Sequence, residues 1–367
     1  MSVQKLSVRA VFSTTAISFL SLSALAHDGD GGNVTYASDH APIGVMADHR
    51  HKKGEWMVSY RFMQMDMSGS RDGTNNLTPE EIATTTPNPF FGLPMQPPTL
   101  RVVPTDMTMR MHMAGVMYGL TDRITLMAMG NFVTKEMDHI TFQGPVGVTQ
   151  LGEFTTETDG FGDTTVGALI GLDDGSYEHR QINLGIAFSI PTGSIGETDQ
   201  ILTPTGATPS PRLPYPMQLG SGTFDFKPSL TARTRFGNIS VGAQASAEIR
   251  LEENDASYAL GDRYEGTAWV AYEPQPWISV SGRLRGATTG QIEGQDPLIV
   301  APVQTADPLN QGGEVIEALA GLNLAGSHGF LKGHRLAVEV GFPLYRELNG
   351  PQLETDFTLT VGWQKAF

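Results

Sequence analysis

The chain has 367 residues and no cysteine, with 40% hydrophobic and 17% charged residues and a formal net charge of −15 from 39 Asp+Glu against 24 Lys+Arg. The acidic balance without a Lys/Arg cluster excludes a nucleic-acid surface. Zero cysteine excludes disulfide staples, thiolate catalysis, Fe–S ligation and Cys-based zinc sites. The mean hydropathy of −0.16 argues against a helical membrane protein but is silent about strands that keep one face polar.

Residues 1–26 read as a secretory signal. Lys5 and Arg9 give a positive start, Ala10 to Leu22 form a short apolar run, and Ala24-Leu25-Ala26 supplies a small-x-small cleavage site. The next segment, 27–54, reads as a periplasmic leader containing His27, His40, Met46, His49 and His51. From 55 to 367 no apolar run of 18 residues occurs, so no spanning helix is expected.

What recurs from 55 onward is strict alternation, which places successive side chains on opposite faces of a strand. Twelve such segments lie near 55–67, 106–119, 123–139, 162–172, 180–191, 222–236, 239–252, 262–273, 277–290, 313–325, 333–345 and 355–367. In one, Ile239, Val241, Ala243, Ala245, Ala247 and Ile249 alternate with Ser240, Gly242, Gln244, Ser246, Glu248 and Arg250; in another, Phe357, Leu359, Val361 and Trp363 oppose Thr358, Thr360, Gly362 and Gln364. Short connections such as Phe236-Gly237-Asn238 alternate with long ones near 68–105, 140–161, 192–221 and 291–312. The pattern predicts an all-β fold: a single transmembrane antiparallel β-barrel of about twelve strands, with short periplasmic turns and long extracellular loops. Closure matters because an open edge in lipid would leave backbone groups unpaired. The competing architecture is a secreted sandwich or propeller, whose alternating apolar face would point into a core. Trp56, Tyr118, Tyr272, Trp277 and Trp363 gather near the short-turn ends as an interfacial girdle would, which favours the barrel. The implied location is the outer membrane of a Gram-negative bacterium. The partners expected there are lipid, a small-molecule solute and, through the last strand ending in Phe367, the barrel assembly machinery. Lys365 departs from the usual apolar pattern of such an end.

Gly160-Phe161-Gly162-Asp163 opens one strand, Pro191-Thr192-Gly193 closes the next, and the chain runs out through Trp363 to Phe367. In these features it resembles outer-membrane proteins grouped under a meta-pathway-of-phenol-degradation heading and often called transporters. The resemblance implies passage of small compounds, aromatic ones among them, and supplies no mapped binding residues.

No Gly-x-Ser-x-Gly elbow or Ser/His/Asn constellation points to an enzyme, and no catalytic residue is assigned. On the polar strand faces, Arg233, Arg250, Arg283 and Arg285 meet Glu248, Glu317 and Glu339, as in a salt-bridged lumen wall. Inward pairs of this kind could also fill the bore of a closed barrel.

Methionine is the most uneven residue: fourteen of sixteen fall between positions 46 and 137. Met57, Met63, Met65 and Met67 share a face with Arg61. Met107, Met109, Met111, Met113 and Met117 share another, and Met127, Met129 and Met137 a third, with Lys135. Three adjacent strands therefore point thioethers into the lumen. Thioethers line an apolar passage as flexible fillers, and they also select Cu(I) or Ag(I), while imidazole suits copper in either oxidation state. Two functions follow: a passive channel for small, hydrophobic or aromatic solutes, which requires no cofactor, or a copper-handling barrel fed by the leader histidines. The proline-rich stretches Pro87–Pro104 and Pro204–Pro216 read as rigid surface loops rather than inward constrictions.

Overall fold

A computed structural model describes residues 36–173 and 180–367. The signal segment, His27 and residues 174–179 lie outside the described residues.

The alternating segments become strands β1 (Trp56–Gly73), β2 (Val102–Thr121), β3 (Ile124–Phe142), β4 (Gln150–Phe161), β5 (Thr164–Gly171) and β6 (Arg180–Ile190). They continue as β7 (Asp225–Phe236), β8 (Ile239–Arg250), β9 (Arg263–Gln275), β10 (Ile278–Thr289), β11 (Gly313–Ala325) and β12 (His334–Ala366). Eleven of these form one antiparallel ring, closed where β12 pairs with β1; β4 pairs with β3 alone, above β5. Residues 335–348 of β12 pair with β11 and residues 348–366 pair with β1, both antiparallel, so this element reverses direction partway along. The reversal falls at Asn349-Gly350, where Gly350 adopts φ +75°, the left-handed conformation that a tight hairpin turn demands. The wall is thus crossed twelve times.

Closure decides which face meets what. On the outside, Trp56, Leu230, Val270, Tyr272, Leu284, Leu336 and Phe342 are exposed, and each sits at a position that alternates with polar inward residues. A closed ring with an apolar exterior is stable only with lipid around it. Inward residues such as Thr125, Asn183, Thr231, Ser279 and Asn323 are buried instead. The chain is an outer-membrane β-barrel, and the only α-helix among the described residues spans seven positions, Pro79–Thr85.

Three expectations need correction. The stretch 140–161, read as a long loop, is mostly wall: β3 and β4 pair from Phe132↔Phe161 up to Phe142↔Gln150. Its Thr- and Glu-rich composition is polar on both faces, so alternation fades, yet backbone ladders form equally well above the lipid.

The proline-rich segment 204–217 is a surface loop only in its first half: residues 205–210 are exposed, and the chain then turns inward. Leu213, Tyr215 and Met217 are buried, the first and last over Met67, Met107 and Met137. Tyr215 joins Phe90, Val102, Tyr258, Ile292, Ile299 and Val303 in an apolar cluster built from several long connections. Arg212 pairs with Asp296 at 2.7 Å within this cap.

The leader is not wholly periplasmic. Residues 36–54 enter the ring from the short-turn end, fold back near Gly44–Met46 and leave beside the β2–β3 turn. Ala37 N donates to Pro276 O (2.8 Å) at one end of this path, and Gly54 N donates to Gly119 O (2.8 Å) at the other. A ring of twelve crossings is too wide for its own side chains to fill, and this segment occupies the excess space.

Candidate functional site

The plug is held by hydrogen bonds to nearly every sector of the wall. Ser38 N donates to Glu273 of β9 (2.8 Å), and Gly44 N donates to Glu339 of β12 (3.0 Å). Arg335 donates to Ala41 O (2.5 Å), Gln244 to Met46 O (2.7 Å) and Asn183 to Asp48 O (3.0 Å). His51 N donates to Thr125 of β3 (2.9 Å), and Arg233 reaches Ser38 O (3.3 Å). Apolar contact comes from Ala41 and Val45 on Trp269, an inward tryptophan that is almost fully buried. These partners explain why the inward face is so polar: a coil segment inside a barrel has no ladder of its own, so wall side chains must satisfy its backbone.

Arg283 grips Glu339 through two hydrogen bonds of 2.9 and 2.8 Å, both residues buried. Arg285 is paired with Glu317. Of these ion pairs, Arg283–Glu339 also anchors the plug, through Gly44 N on Glu339. Burial lowers the pKa of His51 to about 3. Burial, with the neighbouring His49 and Arg335, also holds His40 well below its usual value. At Asp48 burial acts to raise the pKa, and the charge and hydrogen bond of His49 outweigh it, leaving the carboxyl well below the usual range.

Between plug and cap lies a chamber of about 540 Å³. One side presents Met109, Met111, Met129 and Val133; the other presents Lys227, Glu248, Arg250 and Arg263, with Lys135 and Asp163 between them. Lys227 and Arg250 both bond Glu248, at 3.1 and 3.2 Å. Lys135 holds the cap by donating to Pro216 O (2.7 Å). Asp163 accepts from Gly193 N (2.9 Å) and Ser221 N (2.8 Å), tying the strand break before β5 to the 192–224 connection.

The strand register assembles the methionines into cross-strand rows: Met57–Met117–Met127, Met63–Met111, Met65–Met109 and Met67–Met107–Met137. Their fates differ. Met67, Met107 and Met137 pack under Leu213 and Met217 as ordinary core, so their reading as open lumen wall is corrected: the cap descends onto them. Met109, Met111 and Met129 line the chamber. Met57, Met113, Met117, Met127 and Met129 surround a second, small cavity of about 50 Å³ together with Arg61 and the plug residues Met46, Asp48 and His49. His40, Asp48 and His49 converge, with His40 Nδ1 3.4 Å from His49 Nδ1 and the latter donating to Asp48 at 2.7 Å. His51 stacks edge-on against His49, ring centroids 5.0 Å apart.

Asp48, Trp269 and Glu273 were not singled out in the sequence, and Asp163 entered only as the last residue of the Gly160-Phe161-Gly162-Asp163 motif, without a role. Asp48 left a trace by lying inside the Asp48-His49-Arg50-His51 run.

No protein-family model matches the chain, and no curated protein sequence does. Among solved structures, an outer-membrane channel from Pseudomonas putida F1 superposes with a TM-score of 0.55 at 13% identity, covering 89% of this chain and all of that one. The two share the fold of a closed antiparallel β-barrel. The monoaromatic hydrocarbon channel TodX, as a deltaS2 mutant, aligns over 86% of this chain and 91% of its own at 12% identity, with a TM-score of 0.46. That second likeness is too loose to argue from.

Proposed function

We propose that the barrel passes small hydrophobic or aromatic solutes through the outer membrane by way of the chamber between cap and plug. The observation that carries this reading is the chamber itself. Its 540 Å³ falls in the roughly 300–1,000 Å³ range of small-molecule sites, and its methionine wall offers polarisable, adaptable apolar contact. The resemblance to transporters of the phenol meta-pathway grouping and the fold shared with a channel of Pseudomonas putida support the same reading. With the lumen occupied at both ends, the resting protein is not a wide water pore, so free ion flow is not its activity.

The test is entry of a monoaromatic compound into liposomes carrying the folded barrel. Met109→Glu/Met111→Glu, which charges the apolar wall, is expected to slow entry about tenfold or more, since a charge packed against an apolar solute loses its hydration. Equal entry rates for wild type and variant would remove the chamber from the pathway.

A further inference from the structure

The smaller cavity, of about 50 Å³, has a composition that the solute pathway does not use. Water takes up about 30 Å³ per molecule in the liquid, so this space suits an ion and not an organic solute. Six methionines line it, Met46 from the plug and Met57, Met113, Met117, Met127 and Met129 from β1, β2 and β3. At the five wall positions packing alone would be met as well by leucine; the sulfur of Met46 instead accepts from Arg61. One further atom is unexplained by packing: His49 Nε2 is buried and has no hydrogen-bonding partner among the described residues, and the residue is only 6% exposed.

The other ring nitrogen shows how His49 is oriented. Nδ1 donates to Asp48 Oδ1 at 2.7 Å, so in the neutral imidazole Nε2 carries the lone pair. A carboxylate that fixes the tautomer of a histidine whose second nitrogen is left free is the usual outer support of a metal ligand. His40 stands beside this pair, its Nδ1 3.4 Å from His49 Nδ1.

We propose that this cavity binds one soft monovalent cation, Cu(I) or Ag(I), through His49 Nε2 and the surrounding wall thioethers, with Asp48 as the positioning residue. Thioether sulfur favours soft ions over Zn(II) or Mg(II). Charge selects in the same direction. Arg61 lines the cavity, while Asp48 is its one carboxylate, so a single positive charge is tolerated better than two. The site accounts for six of the fourteen methionines crowded between positions 46 and 137.

The test uses the full-length barrel folded in detergent and Ag(I), which needs no reductant, in equilibrium dialysis with Zn(II) in parallel. One Ag(I) per barrel and no stoichiometric Zn(II) is expected. His49→Gln and the volume-conserving Met57→Leu/Met113→Leu/Met127→Leu are each expected to weaken Ag(I) at least tenfold, with heat-modifiable electrophoretic mobility reporting the fold. X-ray absorption of the loaded wild type should show nitrogen and sulfur in the first shell, and it decides the matter if the triple variant does not fold. No stoichiometric Ag(I) binding by wild type overturns the site, as does unchanged binding in both variants or Zn(II) binding that depends on His49. Loss in His49→Gln with full retention in the leucine variant overturns the thioether assignment and leaves a His40/Asp48/His49 chelate.

Discussion

At the scale of single residues, the plug depends on groups whose charge state is set by burial. Burial leaves His51 with a pKa of about 3 and holds His40 far below its usual value. The unfolded or undocked segment would titrate near 6.5. A histidine whose folded pKa is depressed adds stability that is fully present above the unfolded pKa and is lost as pH falls toward the folded one. Docking of residues 36–54 should therefore weaken as pH falls from about 6.5 toward 4. Asp48, also depressed, adds its own loss only below about 3.8. Hydrogen exchange of the plug amides checks this: protection should drop between pH 7.5 and 4.5 while the wall stays protected. Flat protection across that range would mean that the histidines do not control the plug. These histidines were legible as a cluster, yet their role was not, because burial is a property of the surrounding wall and leaves no local mark.

At the scale of elements, the plug and the wall are matched at close range. Gly44 lies against the Arg283–Glu339 pair so tightly that a side-chain carbon there would run into both residues. Gly44→Val should therefore displace the apex of the plug while leaving the strands unchanged. In planar bilayers the wild type is expected to show little ion conductance, and the valine variant discrete open steps. If the variant stays as silent as the wild type, the plug is not what closes the short-turn end. The same element shows the limits of pattern reading. Residues 36–54 have neither helical nor alternating periodicity, so they read as an external leader. Their destination was written elsewhere, in the polar inward residues Gln244, Arg335 and Glu339, which looked like lining for water and proved, with Glu273, to be hydrogen-bond partners for a backbone. The cap follows the same logic: Leu213, Tyr215 and Met217 lie in a proline-rich stretch whose stiffness was apparent, but stiffness does not say which way a loop folds.

At the scale of the whole molecule, the ring separates lipid from lumen, and substitutions should divide accordingly. Leu284 in β10 is exposed on the outer face, opposite Ala268 and Ala318 in register. Leu284→Arg should destabilise the folded barrel by about 2–4 kcal/mol, the cost of a cation facing the hydrocarbon midplane. Reversible unfolding in phospholipid vesicles would measure it, and a change under 0.5 kcal/mol would mean that this surface does not face lipid.

The sequence by itself determined the twelve crossings of the ring, the two faces of each and the environment on either side, while missing the extra strand Gln150–Phe161. Alternation is a local property, and each residue states its preference for oil or water directly. Even the cross-strand methionine rows follow from that alternation once the strands pair with their neighbours. Only the tertiary structure decided what occupies the bore, because that depends on residues far apart in the chain meeting inside a closed ring. A segment without periodicity fills the short-turn end, a folded-in loop covers the other, and a chamber and a small methionine cavity remain between them. The inward charges and thioethers were visible from the start. Whether each faces water, solute or another part of the chain depended on closure, which no single segment encodes.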